Sequence, residues 1–265
     1  MIRAIVVNNL AALMCVLLIG CASGIDARKR ISLPQGGERP LGGEPLAQFA
    51  QAHTSTLLTG ADEVDRLHVS KHDVQGVFRL DGQVCRTIGG CAAVPIDARG
   101  YWLTAAHCAD AGGVLIYTPN SDGIERGIPA RIVWRGTGPG LDLALLFAPL
   151  PDGMSPVTVA SSVRENSEVI CIGSGIASDP FSAGRVVGVG GSTDGSVIWL
   201  EHDAPLSAGD SGGPAFYPDG VLAGINFEAG RSFTGEKMRA TALQPNLQQL
   251  LIRINEDWTF HSSAR

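Results

Sequence analysis

Short apolar and β-branched runs, broken at close intervals by turn residues, fill this chain from about residue 74 onward. They span 74–80, 84–88, 91–96, 101–105, 114–117, 130–134, 142–147, 168–172, 185–189, 197–200, 221–227 and 238–243. Runs of this length suit strands, and no 3.6-residue periodicity lies between them to supply crossover helices. A parallel βαβ sheet is thereby disfavoured, and antiparallel strands closing into barrels or stacking as a sandwich are expected. The 34 glycines and 15 prolines supply the turns of such a fold, and without a triplet period they do not signal collagen. One helix is predicted, at the end. After Pro245, the residues Leu247, Leu250, Leu251 and Ile254 recur at three- and four-residue intervals along one helical face.

The first 70 residues have a different texture. Residues 1–20 hold a single charge, Arg3, and the apolar run 10–19, which is half the length needed to span a bilayer. This is the pattern of a secretory signal. Its exit, Leu18-Ile19-Gly20-Cys21, resembles the bacterial lipobox, which implies cleavage before Cys21 and lipidation of that residue. An ordinary secretory signal with an incidental cysteine is the competing reading. With Ala22 and Ser23 next and no Asp after the cysteine, the resemblance points to retention at the outer membrane, facing the periplasm. Residues 21–70, rich in Gly, Pro, Gln and charge, read as the lipidated cysteine and a flexible linker, leaving 71–265 as the folded domain. A net charge of −6, with no basic cluster beyond Arg28-Lys29-Arg30, argues against a nucleic-acid partner.

With Cys15 in the signal and Cys21 in the lipobox, the cysteines left are Cys85, Cys91, Cys108 and Cys171. Their even number in an exported chain is compatible with two disulfides in any of three pairings, and their spacing fits no zinc motif. Three short motifs carry chemistry. Leu103-Thr104-Ala105-Ala106-His107-Cys108 places a His where a strand runs into small residues. Leu141-Asp142-Leu143-Ala144-Leu145-Leu146 sets one carboxylate at the head of an apolar strand, where it needs a hydrogen-bonding partner. Ala208-Gly209-Asp210-Ser211-Gly212-Gly213-Pro214 surrounds a Ser with glycines, which permit sharp turns and leave amide N–H groups available.

Taken together, in the order His, Asp, Ser, these motifs resemble the chymotrypsin-like (trypsin-fold) serine peptidases, over roughly residues 74–258. The resemblance implies an all-β fold of two six-stranded antiparallel β-barrels with a C-terminal helix. It implies Ser211 as nucleophile, His107 as its base and Asp142 as the carboxylate that orients the imidazole. The backbone N–H groups of Gly209 and Ser211 would form the oxyanion hole. Such a serine endopeptidase acts on protein or peptide substrates and calls for neither cofactor nor metal. A disulfide between Cys91 and Cys108 is implied as well, leaving Cys85 for Cys171. The other histidines (His53, His68, His72, His202 and His261) match no motif and carry no assigned role.

The chain also departs from the family pattern. Animal members pair a freshly cut Ile-Val-Gly-Gly terminus with the Asp before the Ser. Asp210 is present here, but no such tetrapeptide is, so zymogen activation of that kind is not expected. The floor of the specificity pocket falls at Pro205 and its wall at Phe227, Glu228 and Ala229. Without a carboxylate at the floor, a small or apolar residue is the expected preference, and Glu228 is a candidate for an added charge preference. Glutamyl-specific members carry a His near the position of Asn226. A silent scaffold that keeps the triad, or an esterase using the same acyl chemistry, are the alternatives to an endopeptidase tethered to a membrane.

Overall fold

The computed structural model describes residues 48–263, except 51, 60–61, 64–76, 81–82, 87–88, 110–112, 118–125, 139–140, 174–180, 196, 208, 233–234 and 244–245. The proposed signal and Cys21 lie outside the described residues. Strands β1 (Ser55–Thr59), β5 (Gly89–Asp97), β6 (Tyr101–Thr104), β7 (Gly113–Tyr117), β8 (Arg126–Gly138) and β9 (Leu141–Phe147) close one antiparallel barrel in the order β1-β5-β6-β9-β8-β7. A second closed barrel runs β10-β11-β12-β15-β14-β13, built from β10 (Glu168–Ile172), β11 (Phe181–Gly191), β12 (Ile198–His202), β13 (Pro214–Phe216), β14 (Leu222–Ser232) and β15 (Gly235–Ala242). Closure pairs every strand on both sides and so removes the exposed edges that invite aggregation. Helix α1 (Leu247–Ser262) follows the second barrel.

Two differences from the sequence expectation concern the N-terminal part. Strand β1 lies inside the stretch assigned to the linker, and it closes the first barrel by pairing with both β5 and β7. The folded region therefore begins before residue 71. Ahead of β1, residues 48–50 form a helical turn in which Ala50 is fully buried and Phe49 meets the Phe216 ring edge-on at 5.7 Å. The runs at 74–80 and 84–88 do become strands, β3 (Val77–Leu80) and β4 (Gln83–Arg86). They stand outside the barrels, in a three-stranded sheet with β2 (Asp62–Glu63).

The barrels share one apolar cluster. Val94, Leu103, Leu143 and Leu145 of the first pack with Ile172, Phe216, Leu222 and Ile225 of the second. Leu250 and Ile254 of α1 join that cluster, while Leu251, expected on the same face, is exposed. Farther along α1, Asp257 fixes the helix to the first barrel. Its carboxylate accepts both Arg131 guanidinium N–H groups at 2.7 Å and the Tyr101 hydroxyl at 2.8 Å. Arg131 holds the Asp257 carboxyl below its ordinary range, against the opposing effect of burial.

A carboxylate whose pKa is depressed by folding contributes stability that is complete above its unfolded value and is lost as pH falls through the folded one. Because Arg131 is partly exposed, solvent screening limits the gain. Asp257→Asn is expected to lower unfolding stability by about 1–2 kcal/mol at pH 7. In denaturant titrations repeated at descending pH, the difference from wild type should shrink below about pH 4.

Candidate active site

Buried Tyr101, Trp102, Leu103 and Thr104 commit β6 to the interior, and the chain leaves it through the small residues Ala105 and Ala106. A single 3₁₀ turn, Ala106–Cys108, then brings out His107, whose side chain is 48% exposed. Two contacts brace this turn. Cys108 is joined to Cys91 on β5 by a disulfide, and Arg135 donates to the Ala106 carbonyl at 2.9 Å. From β9, Asp142 accepts the His107 backbone N–H through Oδ1 at 2.8 Å and faces imidazole Nδ1 through Oδ2 at 2.5 Å. A carboxylate can only accept, so the proton sits on Nδ1 and the lone pair is left on Nε2. Burial pushes the Asp142 carboxyl upward, but the hydrogen bonds and charge of His107 outweigh it and hold the group below its ordinary range.

Ser211 reaches this neighbourhood on a loop held from both sides. Its carbonyl accepts the N–H of Ala92, on β5, at 2.8 Å. From the second barrel, Asn226 takes the Gly212 N–H on its carbonyl at 2.7 Å and donates its own N–H to Gly213 at 2.9 Å. Gly212 is held at φ +79°, and a Cβ there would overlap Thr104 Oγ1 and the Ala92 carbonyl. Only glycine allows an approach this close, and it delivers Ser211 to the end of β6 where the His107 turn begins. Gly209 is also left-handed, at φ +94°. Among the described residues, neither the Gly209 nor the Ser211 N–H is engaged in a hydrogen bond. Buried Asp210 accepts the Ser207 backbone N–H at 2.7 Å and the Ser207 hydroxyl at 3.1 Å, so its own loop satisfies it.

The residues expected around the specificity pocket are dispersed in character. Pro205 is half-buried in the loop after β12. Phe227 of β14 packs against the core cluster of the first barrel, which includes Cys91, Ala105 and Cys108. Exposed Glu228 is ion-paired with Arg239 at 2.9 Å. Ala229 is opposite Met238 in the β14–β15 register. Cys91, His107 and Cys108 bring ligand-type atoms within 4.8 Å of one another, but both sulfurs are held in the disulfide and offer no thiolate to a metal.

Cys171 corrects the expected pairing with Cys85. It is a free thiol enclosed in the second barrel, where burial pushes its pKa up to about 12. Its neighbours are His202, with ring nitrogens at 3.9 and 4.0 Å, and Asn226 Oδ1 at 3.8 Å. Asn226 likewise is fully buried, against His202 and Cys171. No motif pointed to His202, because the register that brings β12 opposite β14 across a barrel is not written in local sequence.

Two barrels with the His–Asp pair on one and a glycine-rich Ser loop from the other define a chymotrypsin-fold peptidase domain. A sequence model of the trypsin-like peptidase domain matches residues 91–225, and the chain belongs to that family. It is 35% identical over 136 residues to a probable periplasmic serine endoprotease DegP-like of Marinomonas sp. (strain MWYL1), covering 49% of this chain and 28% of that protein. Protease Do-like 2, chloroplastic, of Arabidopsis thaliana is 28% identical over 194 residues, covering 69% of this chain and 30% of its own length. The chain thus spans less than a third of either relative. Among solved structures, the HtrA-type protease AlgW with decapeptide shares the fold, with a TM-score of 0.55, 22% identity, and coverage of 79% of this chain and 66% of that one.

The cysteine chemistry is directly testable. An unreduced digest analysed by mass spectrometry should show Cys91 joined to Cys108, with Cys171 alkylated only after denaturation. Replacing both bridged cysteines by Ser should cost about 3 kcal/mol of unfolding stability, as expected for a loop of this size.

Proposed function

We propose that this chain is a serine endopeptidase, with Ser211 as nucleophile, His107 as general base and Asp142 as the orienting carboxylate. The observation that carries this reading is the two-point hold of Asp142 on His107, which leaves Nε2 as the only basic position of the ring. Ser211 Oγ attacks the scissile carbonyl as its proton passes to His107 Nε2. The N–H groups of Gly209 and Ser211 donate to the developing oxyanion, and one such donor is typically worth about 3 kcal/mol in the barrier. Collapse expels the amine, which takes the proton from His107 and leaves Ser211 acylated. Water, deprotonated by the same imidazole, then releases the acid and restores the hydroxyl.

The relatives named as endoproteases, and solved neighbours with peptides bound, support a peptide substrate. The pairing of Glu228 with Arg239 supports a small or apolar preference over a charged one. Because Ser207 satisfies Asp210, the nucleophile loop has no need of a new N-terminus to order it. Export follows from the signal-like residues 1–20, with Cys21 lipidated and 22–47 as the tether. A flexible chain the length of 22–47 would have a mean reach of about 30 Å.

Wild type should be labelled by a fluorophosphonate probe, and Ser211→Ala should not. The same substitution should lower kcat on a peptide library by at least about 10⁴-fold with the fold intact. An unlabelled wild type would make the chain a silent scaffold. For the anchor, Cys21→Ser should move the protein from the membrane fraction to the soluble one. A variant that still sediments with membranes as wild type does would refute lipidation.

A further inference from the structure

The second barrel encloses three polar side chains that the reaction does not use. His202 and Asn226 are fully buried, and Cys171 lies beside them. Their surroundings are otherwise apolar, with Val169, Val186, Leu200, Ala215, Ala223 and Ala240 in the same cluster. Buried polar groups cost free energy unless paired, and aliphatic side chains would pack such a space without that cost. What the three residues do together is specific. Asn226 Oδ1 accepts the His202 Nε2–H at 3.1 Å and the Cys171 thiol at 3.8 Å, while Nδ2 donates to the Pro214 carbonyl at 3.5 Å.

The Pro214 carbonyl orients the Asn226 amide, because reversing it would set Oδ1 against that carbonyl, and Oδ1 so placed calls for the proton on His202 Nε2. Strand β15 separates β12 from β14 in the barrel order, so the His202 bond crosses the interior and does not duplicate a ladder. Burial holds the His202 ring neutral at physiological pH against the charge of Asp203, while Asp210 acts on Cys171. A neutral ring has a single N–H, which Asn226 Oδ1 engages from Nε2 with the Ala204 backbone also acting on the ring. Asn226 in turn holds the three residues that follow Ser211, Gly212 and Gly213 through its backbone C=O and N–H and Pro214 through its side-chain amide.

We infer that His202, with Cys171 in support, is a positioning residue: it fixes Asn226, and through Asn226 the loop that carries Ser211. The inference rests on the reading of Ser211 as nucleophile. Misplacing a reacting atom by about an ångström costs on the order of a hundredfold in rate. A lost donor at His202 should therefore appear in kcat and in acylation rate rather than in substrate binding.

The test uses the full chain. His202→Leu keeps bulk and removes the donor, whereas His202→Gln keeps a side-chain N–H. The Leu variant should lose roughly ten- to hundredfold in kcat and in fluorophosphonate labelling rate, with KM within about twofold of wild type. The Gln variant should recover most of that loss. A folded Leu variant with wild-type kcat, or a Gln variant as slow as Leu, overturns the inference while leaving the peptidase reading in place. Wild type that takes no label overturns the peptidase reading, and the positioning role falls with it. Should the Leu variant not fold, imidazole ¹⁵N NMR of the folded Ser211→Ala chain decides instead. A neutral Nε2–H tautomer of His202 with a slowly exchanging proton supports the role, and an Nδ1–H tautomer refutes it.

Discussion

The hydrogen bond from Ala92 to the Ser211 carbonyl joins the two halves of the molecule where the chemistry would occur. Ala92 lies on the first barrel, one residue from the cysteine bridged to the His107 turn, and Ser211 lies on a loop anchored in the second. The distance between Ser211 and His107 is thus set by how the barrels dock rather than by either barrel alone. Docking is in turn the work of the shared apolar cluster, to which both barrels and α1 contribute. Interiors pack too densely to deform gradually, so an interface of this kind defines position well. Gly212 has no side chain because Thr104 and Ala92 stand where one would be.

Much of this was legible in sequence, for reasons that can be named. The central barrel strands announce themselves because each buries one or both faces and is bounded by turn residues, as in Leu141–Phe147. Strand β1 was missed because its five residues sit in a stretch rich in Gly, Gln and polar residues, where composition averages out a short buried segment. Strand β13 was hidden inside the Ser motif, opened by a proline and only three residues long. The runs that became β3 and β4 were read correctly as strands, but which sheet a strand joins depends on pairing, which local pattern does not encode.

The site divides in the same way. His107, Asp142 and Ser211 stand in local motifs because each must leave a regular element at a defined point, and small or glycine residues mark those exits. The pairing of Cys85 with Cys171 came from counting thiols, and a count carries no distance. Cys171 lies on a strand whose side chain faces the barrel interior, fully enclosed beside His202 and Asn226. A lone histidine in the run Glu201-His202-Asp203 looks like a surface residue by composition. Its burial becomes visible only when β12 is laid across from β14.

Electrostatics around the candidate site argues for recognition by shape. Each carboxylate near the Ser loop already has a partner: Asp142 has His107, Asp210 has Ser207, and Glu228 has Arg239. Arg239 is shared further, with Glu201 at 3.5 Å. A basic side chain entering such a site would have to compete with these contacts, and an acidic one would find Arg239 already occupied. Removing a paired charge from its partner costs more than a surface pair returns, in keeping with the proposed small or apolar preference. An apolar side chain would meet no such competition. Discrimination by an apolar pocket is modest, about 1–3 kcal/mol per methylene, so the proposed preference would rest on size rather than charge.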